Sequence, residues 1–255
     1  MSSTEFTAED RRLAVLGGCG GIGRELIAEA LQRGYRVAVL DLPVSLQRHP
    51  THDDVIDIPV DATSEEQLAT AFATLEQHWG GLDGFVNLCG FMHDNQPLAE
   101  TASPVWNEIV DGDLNSMFYA AKAAIPLLAK GSNAAMVNAS SGLAQYIRPG
   151  FGAYAVAKAG VIALTKTLAL ENAPTLRVNA VAPSAVDTAF LRGGTGRSDE
   201  KDDVHLDLTA YINAIPLKRI ATPPDVVRPI LFLLGEDSAY MTGQVLWING
   251  GAYMP

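Results

Sequence analysis

Short apolar runs alternate along this chain with longer stretches in which apolar residues recur every three or four positions. The first run, Leu13-Ala14-Val15-Leu16 behind Arg12, passes through a glycine-rich turn into residues 24–31, whose apolar positions fall at helical spacing. That reads as strand, tight turn, helix. A second strand is predicted over 36–40, ending in Asp41, and a third over 54–58. Residues 64–79 put Leu68, Ala71, Phe72 and Leu75 on one helical stripe, which Gly80-Gly81 stops. Further strands are expected over 85–88, 134–139, 177–182 and 245–248, and helices over 103–129, 153–170, 206–213 and 224–234. Strands alternating with helices at this interval call for a parallel sheet covered on both faces. A chain of 255 residues fits one such α/β domain, spanning 1–255, with the polar, glycine-containing passage around 190–215 as a lid.

Composition narrows the partners. The formal net charge of -11 argues against nucleic acid or anionic lipid, which require a positive field. Cys19 and Cys89 are the only cysteines, too few for a disulfide framework and in keeping with a reducing, cytoplasmic setting. The first ten residues are polar and acidic where a signal peptide would need a basic start and an apolar core. No apolar stretch is expected to reach the roughly 20 residues that span a bilayer. The five histidines, His49, His52, His78, His93 and His205, form no ligand constellation beyond the weak His49/His52 pair, so no metal is expected.

The turn Gly17-Gly18-Cys19-Gly20-Gly21-Ile22-Gly23 carries the first chemistry. Glycines let the backbone bend sharply and approach a pyrophosphate, and the helix that follows aims free N–H groups at the anion. Two registers fit, Gly18-x-Gly20-x-x-Gly23 and Gly17-x-x-x-Gly21-x-Gly23, and both put the phosphates in the same place. Asp41, at the end of the next strand, is placed to accept hydrogen bonds from the hydroxyls of an adenosine ribose, which favours NAD over NADP because a 2′-phosphate would meet like charge. Asp61 is a candidate for the adenine amino group, or for capping the helix near Ser64. Asn87-Leu88-Cys89-Gly90 ends the fourth strand, where a cofactor crevice is expected, and Gly90 would let the chain pass beneath the dinucleotide.

Tyr154 and Lys158 stand one helical turn apart and project from one face. A nearby ammonium and an oxidised nicotinamide both favour the phenolate, lowering a reference pKa of about 10. Tyr154 then becomes a base for an alcohol proton, or an acid in the reverse direction. Ser141 is placed to hydrogen-bond the substrate oxygen, and Asn115 to hold a water against the Lys158 amine.

With these blocks in hand, residues 11–251 resemble the short-chain dehydrogenase/reductase family, in its compact type. The family tetrad is matched to Asn115, Ser141, Tyr154 and Lys158. The cofactor loop departs from the pattern at Leu16, where the family has threonine, and Asn87-Leu88-Cys89-Gly90 lacks the family's second asparagine. Residues 177–188, with Ser184 where glycine is common, look like the family segment that reaches over the nicotinamide, giving contacts from Val186 and Thr188. The resemblance implies a single-domain, doubly wound Rossmann-type parallel sheet of seven strands flanked by helices, and a homotetramer, with a homodimer as the alternative.

Phe91, Met92, Leu143 to Tyr146, Phe151 and Phe190-Leu191 are the expected walls of the substrate site, with Gln145 and Arg148 for a polar tail and Glu100, His93 and His205 as lesser candidates. An apolar wall favours a secondary alcohol or its ketone over a free sugar, since buried unmet hydroxyls are costly. The expectation is an NAD-dependent oxidoreductase interconverting a moderately hydrophobic secondary alcohol and its ketone. A dihydrodiol or 3-hydroxyacyl dehydrogenase is the enzymatic alternative, and an NAD-sensing protein the non-catalytic one.

Overall fold

In the computed structural model, which describes residues 10–93, 95–192, 194 and 207–254, seven parallel strands line up in the order β3-β2-β1-β4-β5-β6-β7. They are β1 (Arg12–Leu16), β2 (Arg36–Asp41), β3 (Ile56–Pro59), β4 (Gly84–Asn87), β5 (Ala134–Ala139), β6 (Leu176–Pro183) and β7 (Val245–Ile248). Around them lie α1 (Gly21–Gln32), α2 (Pro43–Arg48), α3 (Glu65–Trp79), α4 (Ser103–Val110), α5 (Ser116–Leu128), α6 (Gly152–Asn172), α7 (Leu208–Ala214) and α8 (Pro223–Leu234).

Alternation along β1 explains the layers. Leu13 and Val15 join Leu26, Ile27, Val226 and Ile230 from α1 and α8 on one face, while Ala14 and Leu16 join Leu68, Phe72 and Leu128 from α3 and α5 on the other. Because both faces are covered, the strands read as continuous apolar runs. From β1 the chain winds outward to β2 and β3, then returns to β4 and winds the other way. Leu16 pairs with Asn87 across that reversal, and the crevice beyond these two strand ends is where such sheets hold ligands.

Most predicted elements are present, with instructive shifts. β3 starts later than expected because the Val55 N–H first bonds back to the His52 carbonyl, and pairing with β2 begins only at Ile56. The Ser64 hydroxyl accepts the Gln67 N–H at 3.3 Å to start α3, and Gly80, at φ 69°, ends it. The short helix α2, with Pro43 in its first turn, carries too little periodicity to be anticipated. The long helix expected over 103–129 is interrupted by a π turn at Asp111–Asn115.

One expectation about the membrane is corrected. Helix α6, 21 residues long with a mean hydropathy of 1.3 over its most apolar window, is long and apolar enough to cross a bilayer. Half of that window is buried inside the protein. Its apolar character comes from packing against β5 and β6, which bury Ala155, Ala157, Val161 and Leu168. Of the expected lid, a 3-10 turn at Ala189–Arg192 and α7 are described. The charged run 198–203 and His205 lie outside the described residues.

Candidate active site

A cavity of about 920 Å³ opens along the carboxyl ends of the strands, from the glycine loop to Tyr154. Gly17 turns at φ 80°, a left-handed conformation that favours glycine. At Gly21 a Cβ would lie 2.6 Å from Thr188 Cγ2, so a bare backbone is what lets the 186–188 segment close against the loop. Gly20 stands at the cap position just before α1, and among the described residues no side chain caps the helix's first-turn N–H groups. They remain available to an anion, as at other helix N-termini that follow a glycine turn. Leu16, in place of a threonine, is buried in the core, and the loop is tied to the sheet by backbone instead: the Gly17 N–H donates to the Leu40 carbonyl at 2.9 Å.

Asp41 ends β2 at the wall of this cavity. Its Oδ2 accepts the Cys19 N–H at 2.9 Å and its Oδ1 accepts the Leu42 N–H at 2.8 Å. The carboxylate thus holds the loop in shape while presenting negative charge to the cavity. Asp61 also lines it, and its Oδ1 accepts both the N–H and the hydroxyl of Thr63, at 2.9 and 2.7 Å. The cap on α3 comes from Ser64, not Asp61. Gly17, Gly21, Ile22, Gly23, Gly90, Val186 and Thr188 all line the same space.

Asn87 does not. It lies at the centre of the sheet between β1 and β5, fully buried, where its Oδ1 accepts the Cys89 N–H at 3.2 Å and its Nδ2 has no partner among the described residues. It shapes the β4 end that the cavity rests on, and the expected direct contact with a cofactor is replaced by this supporting position.

Ser141, Tyr154 and Lys158 come together on the cavity floor, each less than a tenth exposed. The Ser141 hydroxyl accepts the Leu143 N–H at 3.2 Å, and both Ser141 and Tyr154 line the cavity floor. Lys158 Nζ sits 5.6 Å from the Tyr154 ring centre. The Ser140 hydroxyl donates to the Lys158 carbonyl at 2.8 Å, fixing α6 against the end of β5. Burial holds the phenol above its usual value and Asp113 adds to that, while the Lys158 ammonium and Ser141 pull it down. The protein's own groups therefore leave the Tyr154 phenol above its usual value, and the lowering expected from the sequence combined Lys158 with the positive charge of an oxidised nicotinamide.

Asn115 is corrected. Its amide donates to the exposed Asp111 Oδ1 at 2.6 Å, and Asn115 does not line the cavity. The residue that faces Lys158 is Asp113, with Oδ1 3.1 Å from Nζ and no solvent exposure. The π turn widens the helix and carries Gly112 and Asp113 inward, and bare Gly112 makes room for the Phe91 ring. A stripe drawn from Ile109 through Asp113 to Ser116 and Ala120 was the available sequence signal, since it puts Asp113, not Asn115, on the buried face.

The far wall is apolar, with Phe91, Met92, Leu143, Phe151, Phe190 and Leu191 lining it. Arg148 is at the rim, its guanidinium 5.3 Å from the Tyr146 ring centre, and Tyr146 stacks on Tyr253, which the sequence reading did not include. His93 lines the cavity and pairs with Glu108 at 3.0 Å. Gln145 and Glu100 are exposed and do not line it.

Comparison with known proteins adds four findings. A family model described as enoyl-(acyl carrier protein) reductase matches residues 18–253. The chain is 30% identical over 252 residues to a 3-oxoacyl-[acyl-carrier-protein] reductase of Buchnera aphidicola, covering 96% of this chain and 98% of that one. Among solved structures, the aldohexose dehydrogenase of Thermoplasma acidophilum superposes with a TM-score of 0.86 at 28% identity, covering 97% of this chain and 96% of that one. ElxO with NADP bound gives 0.86 at 28% identity, covering 95% and 98%.

Proposed function

The chain belongs to the short-chain dehydrogenase/reductase family of oxidoreductases, and from that premise we propose an NAD-dependent enzyme that interconverts a 3-hydroxyacyl compound and its 3-oxoacyl counterpart, with Tyr154 as general acid/base. One observation carries the reading: Ser141, Tyr154 and Lys158 meet on the floor of the cavity whose other end is the glycine loop and Asp41. The cavity fits a dinucleotide, with an uncapped helix N-terminus for its pyrophosphate and a carboxylate at the β2 end for its ribose. When bound, NAD(H) accepts or supplies the hydride, and its oxidised ring adds positive charge beside the phenol.

The protein's part follows from the residues. Ser141 donates a hydrogen bond to the substrate oxygen, where charge develops during the reaction. Tyr154 gives its proton to that oxygen in reduction and takes it in oxidation. The buried Lys158 ammonium favours the phenolate when the proton leaves. The apolar wall excludes water and receives an acyl chain, and Arg148 at the rim suits the polar end of the acyl carrier.

The substrate class is narrower than a general secondary alcohol. Relatives named for 3-oxoacyl reduction, matched over nearly the whole chain, favour the 3-hydroxyacyl alternative. For the cofactor, a structural neighbour holds NADP, so family membership leaves the choice open. Asp41 favours NAD because its charge repels a 2′-phosphate. The same proposal takes the protein as a cytoplasmic homotetramer, with a homodimer as the other outcome of light scattering; strand β7, at the sheet edge with its residues only partly covered, suits packing against a second copy.

The test is a panel of 3-oxoacyl thioesters and simple ketones of matched length, each with NADH and NADPH, followed by the absorbance of the reduced nicotinamide. The thioesters should be reduced with the higher kcat/KM and with NADH preferred. Equal or better turnover of the simple ketones would return the substrate to the general class.

A further inference from the structure

Lys158 is buried, and its ammonium is surrounded by acceptors: the Cys89 carbonyl at 3.2 Å, the Ala139 carbonyl at 3.3 Å and Asp113 Oδ1 at 3.1 Å. Two carbonyls accept hydrogen bonds from the ammonium and Asp113 Oδ1 stands beside it at ion-pair distance; Asp113 is the one acid among the three, its carboxyl pushed up by burial and pulled back down by the Lys158 ammonium. Asp113 is itself fully buried. Its Oδ2 accepts the Phe91 N–H at 3.4 Å, whereas its Oδ1 stands at ion-pair distance from Nζ without an aligned donor among the described residues. The contact is therefore chiefly electrostatic.

The surroundings are built to admit this pair. A Cβ at Gly90 would lie 2.7 Å from Lys158 Nζ and closer still to Asp113 Oδ1, so a side chain there would displace both. The π turn that brings Asp113 inward is held by the Ser116 hydroxyl, which donates to the Gly112 carbonyl at 2.7 Å. The titratable groups facing the pair are Tyr154, one turn before Lys158 on α6, and the Cys89 thiol after β4. Burial pushes the Cys89 thiol well above its usual value, so it remains neutral near pH 7 and leaves the electrostatics to Asp113, Lys158 and Tyr154.

We propose that Asp113 is a positioning residue that anchors the Lys158 ammonium and opposes loss of the Tyr154 proton, setting the site to hand a proton to a ketone near neutral pH. A lysine beside a tyrosine, with no carboxylate near, favours the phenolate. Here the ammonium field is partly cancelled by an anion it touches. The phenol stays protonated over a wider pH range, which suits the acid required for reduction rather than the base required for alcohol oxidation. The pH range over which the site can act as an acid is thus widened by the protein around the proton donor, with the equilibrium of the reaction unchanged. The inference rests on the acid/base role given above to Tyr154.

Asp113→Asn removes the charge and keeps the shape. In protein carrying tyrosine labelled with ¹³C at Cζ and free of cofactor, the Tyr154 resonance, identified by its loss in Tyr154→Phe, should titrate about one to two units lower in Asp113→Asn than in the wild type. The alkaline limb of the reduction profile should move down by a similar amount. An unmoved or upward-shifted Tyr154 titration in folded Asp113→Asn overturns the proposal, even if the enzyme reduces 3-oxoacyl thioesters as expected. Conversely, the predicted shift supports it even if those thioesters prove inert. Should Asp113→Asn fail to fold, ¹³Cγ-labelled aspartate in the wild type decides the matter: an ionised Asp113 at pH 7 supports the proposal and a protonated one overturns it.

Discussion

Replacing Asp41 with asparagine should swing the cofactor preference from NAD toward NADP. Two unit charges about 4 Å apart interact by about 1 kcal/mol in bulk water and about 4 kcal/mol at an effective dielectric near 20. Asp41 is half-buried on an open cavity, so the lower end applies. A 2′-phosphate carries nearly two charges, and the relief for NADP comes to about 2 kcal/mol. The ribose of NAD would lose a charge-assisted hydrogen bond, about 1.5 kcal/mol at the low end. Together these predict a change of several hundredfold in the ratio of kcat/KM for NAD to that for NADP. Asp41 also accepts the Cys19 and Leu42 N–H groups at 2.9 and 2.8 Å, so the variant will lose some efficiency with both cofactors as the loop loosens. The ratio removes that common loss. Initial rates with each cofactor over a range of concentrations give it directly. A ratio moved by less than about threefold, against about 2 kcal/mol expected from charge alone, would refute the argument, as would a wild-type enzyme that prefers NADP.

Other predictions concern stability and reactivity. The Asp83 carboxylate accepts from the Arg12 guanidinium at 2.8 and 2.7 Å and from the Arg12 and Ser132 N–H groups at 2.9 and 2.7 Å. Burial alone would raise its pKa, but these donors outweigh burial and hold it below the usual carboxylate value. Asp83→Asn should cost about 3 kcal/mol in urea unfolding near pH 7. Since the folded pKa is depressed, this stabilisation is present above the ordinary carboxylate range and is lost as pH falls through the folded value, so the gap to wild type should close in acid. A gap that persists undiminished in acid would contradict the assignment. Both thiols should be inert toward a disulfide reagent at pH 8 until the protein unfolds, because burial and then Asp41 push Cys19 up to about 12, and burial raises Cys89 as well. Rapid labelling of either thiol in the folded protein would count against this.

Much of the architecture could be read from periodicity. Strands buried on both faces leave continuous apolar runs, and the helices between them leave stripes, so the seven strands and their α/β class follow from pattern. The edges of β3 and β4 were set instead by which backbone groups find sheet partners, as with Val55 bonding to His52 before pairing begins. In the site, Ser141, Tyr154, Lys158 and Asp41 were legible because strand ends and one helical turn fix their directions. Asn115 is singled out by its likeness to the family tetrad, whereas the helical stripe through Ile109, Asp113, Ser116 and Ala120 already puts Asp113 on the buried face; only the π turn itself is invisible to regular spacing. Asn87 is expected at the cavity, whereas it is the last paired residue of β4, fully buried between Leu16 of β1 and Asn138 of β5. The burial that raises the Tyr154 phenol in the protein alone was not legible, because a sequence displays the ammonium but not the desolvation around it.

The central claim is that the Tyr154 hydroxyl moves the proton while a hydride moves beside it. It is tested most directly by Tyr154→Phe, comparing NAD binding by calorimetry with single-turnover hydride transfer at saturating cofactor. NAD affinity should stay close to that of the wild type, while hydride transfer falls by about 10²- to 10⁴-fold. A variant that transfers hydride at a rate near the wild type would contradict the account.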